Sequence, residues 1–73
     1  MIRFETGNGV VYINRAAIIG VRVVDSPVPF IAEQNGKQVI VDCAGMTKYY
    51  SDSNLTEEHA NKVCNNLLLD LGW

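Results

Sequence analysis

The chain has 73 residues, 48% of them hydrophobic, with six basic and eight acidic side chains and a net charge of −2. That length gives one small domain, 1–73, whose core supplies only about 3–5 kcal/mol net unless a disulfide, a metal or a second copy reinforces it. The hydrophobic fraction excludes a disordered chain. The scattered basic residues (Arg3, Arg15, Arg22, Lys37, Lys48, Lys62) argue against nucleic acid, whose binders cluster them. No apolar run approaches the roughly 18 residues of a membrane helix. Met1–Gly9 carries acid and glycine where a secretory signal would place its apolar stretch, so the expectation is a soluble, cytoplasmic protein.

The first element is a hairpin around Asn8-Gly9, a pair that suits the type I′ turn because both central residues need positive φ. Taken as the loop, it sets Phe4 opposite Ile13 and Thr6 opposite Val11. Side chains alternate along a strand, so Ile2, Phe4, Val11 and Ile13 share one face, and Arg3, Glu5, Val10 and Tyr12 the other. "AIIGVRVVD" follows as a strand by its β-branched content. Ile19, Val21 and Val23 alternate onto one face; Ile18, Gly20, Arg22 and Val24 take the other. "DSPVP" then breaks it, because proline has no N–H for the ladder.

Asn35-Gly36 predicts a second hairpin, with Phe30 opposite Val41 and Ala32 opposite Val39. Val28, Phe30, Ala32, Val39, Val41 and Cys43 then share one face, and Ile31, Glu33, Gln38, Ile40 and Asp42 the other. Residues 46–51 read as a short strand or an irregular crossing. A helix over about 56–71 closes the chain. Thr56 or Asn54 is its N-cap, Glu57 and Glu58 sit in its positive first turn, and Gly72 ends it. Ala60, Val63, Cys64, Leu67, Leu68 and Leu71 fall in one stripe. The expected fold is α+β: one antiparallel sheet of five to six strands, built from two Asn-Gly hairpins and a connecting strand, with the C-terminal amphipathic helix packed on one face.

One helix covers one side of a sheet. The other side would show Tyr12, Ile18, Val24, Ile31 and Ile40, and Leu69 with Trp73 would point away from the helix's core stripe. A contiguous exposed apolar patch marks an interface. These residues are therefore the candidate interface of a homodimer or higher oligomer, whose partners are a second copy and another protein.

No constellation here supplies chemistry. Cys43 and Cys64 read as buried small hydrophobes, with a disulfide linking sheet to helix as the lesser alternative. His59 and Cys64 lie about 140° apart around a helix, which rules out a shared zinc or a nucleophile pair. "GNGVVYIN" leads into a strand and lacks the helix of a phosphate cradle. "YYSDSN" gathers loop and cap residues; Tyr49, Tyr50 and Asp52 are its candidate ligand contacts. The expectation is thus no catalytic residues, no metal and no cofactor.

The opening "MIRF", "NG", "VYIN" and "AIIGV" resembles short bacterial and phage proteins that begin with a hairpin and end in a helix. The resemblance spans about the first half of the chain and rests on hydrophobic pattern. It implies a small prokaryotic, phage or mobile-element protein and no activity. The function expected is a non-enzymatic interaction module that self-associates. The alternative is a small-molecule binding protein with a pocket near Tyr49–Asn54 or at the oligomer interface.

Overall fold

A computed structural model describes residues 1–26 and 36–72. Five strands and one helix run through them: β1 Ile2–Thr6, β2 Gly9–Ile13, β3 Ile18–Asp25, β4 Lys37–Cys43, β5 Thr47–Tyr50 and α1 Glu57–Leu71. The architecture is α+β with a C-terminal helix, but the single sheet expected from sequence divides into two. One sheet is β1–β2; the other is β3–β4–β5, antiparallel throughout.

Both sheets deliver side chains to one core. Ile2, Phe4 and Ile13 come from the hairpin, Ile18, Val39, Val41 and Cys43 from the three-stranded sheet, and Ala60, Leu67 and Leu71 from α1. The division therefore breaks the hydrogen-bonded ladder without dividing the hydrophobic interior.

The first hairpin keeps its expected faces but shifts its register. Ile2 pairs with Ile13, Phe4 with Val11 and Thr6 with Gly9, so the loop is Gly7-Asn8. A local side chain explains the shift. Thr6 Oγ1 donates to the Gly9 carbonyl at 2.6 Å and accepts from the Asn8 N–H at 3.1 Å, clamping the turn one residue early. Gly9 then takes φ 127, which a side chain would resist. Because both strands move by one residue in opposite directions, the alternation of faces survives.

The second hairpin is overturned. Residues 28–35 lie outside the described residues, and β4 has both edges occupied by described ones. Val41 pairs with Val21 and with Tyr49, and Val39 with Val23 while its carbonyl accepts from the Ser51 N–H. The real partner of β4 is β3, tied at its end by the Ser26 N–H to the Gly36 carbonyl and by the Lys37–Asp25 ion pair.

A bulge between Ile18 and Gly20 corrects β3. The extra residue reverses the phase of the strand at that point. Ile18 turns into the core opposite Cys43, and Ile19, expected inside, is 67% exposed. Residues 46–51 contain the strand β5.

The helix matches its local signals. Thr56 is the N-cap, its Oγ1 accepting from the His59 N–H at 3.1 Å, and Glu57 and Glu58 occupy the first turn. Gly72 caps the end in the left-handed conformation, φ 77. Before the helix, Leu55 bridges to Lys37 through reciprocal backbone bonds of 2.9 and 3.1 Å. No helix among the described residues is long and apolar enough to cross a membrane.

Candidate interaction surface

Strand β2 reads Gly9-Val10-Val11-Tyr12-Ile13: no charge, no proline, mostly β-branched or aromatic. Among the described residues it pairs with β1 alone. Val11 and Ile13 turn toward the core, whereas Val10 is 44% and Tyr12 64% exposed. Their cross-strand neighbours are Glu5 and Arg3, which pair with each other at 3.3 Å. The outer face of the hairpin is thus two apolar side chains beside one exposed ion pair. Proline, charge and bulges are the usual protections of a free strand edge, and β2 carries none of them.

The far face of the three-stranded sheet is different, and it corrects the expectation of a broad greasy side. Asp42 Oδ2 accepts from Arg22 Nε at 3.0 Å, and its Oδ1 lies 3.7 Å from Lys48 Nζ. Ile40 and Gln38, expected on an open face, are buried. Gln38 donates through its side-chain amide to the Ser51 carbonyl at 3.0 Å. Val24 is half-buried.

The candidate interface residues therefore scatter. Tyr12 lies exposed on the hairpin and Leu69, 76% exposed, on the outer side of α1. Ile18 and Ile40 are shielded within the chain itself. Ile31 and Trp73 lie outside the described residues, so the expected Leu69–Trp73 pair does too. Among the exposed apolar residues, sequence reasoning missed Ile19 and Met46 as well as the terminal Met1. Ile19 is displaced by the bulge, and Met46 stands out of the Ala44–Met46 turn with φ 62. Gly45, beside two small or flexible neighbours, was the available sign of a left-handed turn there.

The "YYSDSN" segment assembles only in part. A groove of about 440 Å³ runs between β1, the Ser51–Leu55 segment and α1. Phe4, Leu55 and Leu67 are among its apolar lining, and Arg3, Asp52, His59 and Asp70 among its polar lining. Asp52 lines it, but Tyr49 and Tyr50 do not. Tyr49 packs against the core and Tyr50 faces outward from β5. The polar groups beside them are occupied in holding the backbone. Ser51 Oγ accepts from the buried Val39 N–H at 2.8 Å and donates to the Asp52 carbonyl at 3.0 Å. Asp52 Oδ1 accepts from the Asn54 N–H at 3.0 Å.

Both cysteines are free. Burial pushes the Cys43 thiol above its ordinary pKa, with Asp42 adding to the effect, and burial alone does the same to Cys64. A raised thiol pKa means little thiolate, so neither is suited to nucleophilic attack. Among the described residues no group of three or more His, Cys, Asp or Glu is placed to hold a metal. No family model, curated protein or solved structure matches the chain.

Proposed function

We propose that this chain is a non-enzymatic interaction module that associates with a second copy of itself through the β1–β2 hairpin. One observation carries the reading: β2 is uncharged and proline-free, pairs on one side only among the described residues, and exposes Val10 and Tyr12. Such an edge is a ready template for another strand. A chain of this size also gains from added buried surface. Light scattering across micromolar to millimolar concentration tests it. A mass rising toward twice that of one chain is expected, and a single-chain mass throughout removes the reading.

A further inference from the structure

The geometry points to the manner of that association: two copies of β2 pair antiparallel about a two-fold axis through Val11. The inference rests on the proposed self-association and adds its surface and register.

The argument begins at the turn. Thr6 and Gly9 close a loop of only Gly7 and Asn8. The closing pair must be a hydrogen-bonded one, because the alternative pattern would require consecutive residues, Gly7 and Asn8, to bond each other. Antiparallel pairs alternate between bonded and non-bonded. Phe4–Val11 and Ile2–Ile13 are therefore bonded pairs, and Glu5–Val10 and Arg3–Tyr12 are not. It follows that the N–H and C=O groups of Val10 and Tyr12 point away from β1, along the edge of β2 that no other described strand pairs.

In the two-fold register centred on Val11, all the outward-directed groups of this strand find partners within the second strand. With Val11 opposite the second copy's Val11, each Val10 faces the other copy's Tyr12. Val10 and Tyr12 then exchange backbone bonds in both directions, and Val11 forms the non-bonded pair on the axis. A register displaced by one residue would set inward-directed groups of one strand against outward-directed groups of the other. The side chains agree with the pairing. On the exposed face, each row would run Glu5, Val10, the second copy's Tyr12, the second copy's Arg3. An aliphatic group meets an aromatic one across the seam, a favourable cross-strand combination. Unlike charges stand at the two ends of each row, and β2 brings no charge of its own. The core face extends through Val11 against Val11.

Amide exchange followed by NMR at low and high concentration of the intact chain tests this. With about nine-tenths of the chains paired, the Val10 and Tyr12 amides are expected to exchange roughly tenfold more slowly than when dilute. Val11, bonded within the hairpin, is protected at both concentrations. Val10→Pro removes an edge donor without removing a bond to β1, so it is expected to abolish the concentration dependence of mass and keep Val11 protected. If the mass doubles while Val10 and Tyr12 exchange at their dilute rates, the register is overturned and self-association stands. If the mass stays that of one chain at every concentration, both fall. Should the proline variant fail to fold, the exchange of the unaltered chain still decides.

Discussion

The two sheets meet the same problem, a face that the helix does not cover, and resolve it differently. The three-stranded sheet closes its far face with charge and buried hydrogen bonds. Asp42 is held between Arg22 and Lys48, and Gln38 is tied to Ser51. Its central strand, β4, has a neighbour on each side. Among the described residues the hairpin has one ladder and one ion pair, and it leaves Val10 and Tyr12 exposed. A two-stranded hairpin is marginal on its own. Its place in the fold depends on what it inserts beneath α1: Ile2, Phe4 and Ile13. The contrast teaches that one sheet has its central strand flanked on both sides, while the other is anchored by its inner face and, among the described residues, pairs β2 on one edge alone.

The largest expected effect tests that anchoring. Phe4→Ala removes the aromatic residue that the hairpin buries most deeply, at 2% exposure. Such truncations cost about 3–5 kcal/mol, similar to the whole net stability of about 3–5 kcal/mol available to a core of this size. A largely unfolded protein is expected in a urea titration followed by circular dichroism. A loss below about 1 kcal/mol, well under the usual cost of an aromatic truncation in a core, would mean that the hairpin is peripheral and the contrast misdrawn.

A smaller effect tests the internal completion of the other sheet. β5 ends at Tyr50, yet the ladder continues for one more rung because Ser51 Oγ accepts from the Val39 N–H while the Ser51 carbonyl takes the Gln38 amide. Ser51→Ala leaves a buried backbone donor without an acceptor. The expected loss is about 1–3 kcal/mol, with the Val39 amide losing exchange protection ahead of the hairpin's. Equal loss in both sheets would show that they open together.

These elements differ in how far the sequence discloses them, for physical reasons. The helix is written in adjacent residues: Thr56 to cap it, an apolar stripe to seat it and Gly72 to stop it. Face alternation in β1 and β2 is likewise local. Register is less so, because Asn8-Gly9 favoured one turn and Thr6, through its hydroxyl, secured the neighbouring one. The bulge at Ile19 has one local mark, the isolated Gly20 within the strand, and it exchanged the expected places of Ile18 and Ile19. The division into two sheets is less legible still. Choosing β3 over residues 28–34 as the partner of β4 depends on contacts between distant segments, which no short window of sequence contains. Of the candidate surface, Tyr12 and Leu69 were visible as apolar residues off the core stripe. That Ile18 and Ile40 are sheltered within the chain was not.

The smallest effect belongs to the far end of the β3–β4 ladder, where Lys37 bonds the Asp25 carboxylate. That bond, and the charge of Lys37 behind it, hold the Asp25 carboxyl below its ordinary pKa; the same contact raises Lys37 above its own. The signs follow from linkage. A carboxyl with a depressed native pKa stabilises the fold above its unfolded value and loses that contribution as pH falls through the native one. A lysine with a raised native pKa contributes below its unfolded value and loses this as pH rises through the native one. The contribution is therefore full across the neutral range and declines toward either extreme. Exposed pairs are screened by salt, and Asp25 is well exposed, so the effect is small. Asp25→Asn is expected to lower the neutral-pH urea midpoint slightly, to converge with the parent chain below the carboxylate range, and to lose most of its difference at high salt. A difference that persists undiminished in strong acid would mean that Asp25 acts through turn geometry next to the described end of β3, and not through its charge.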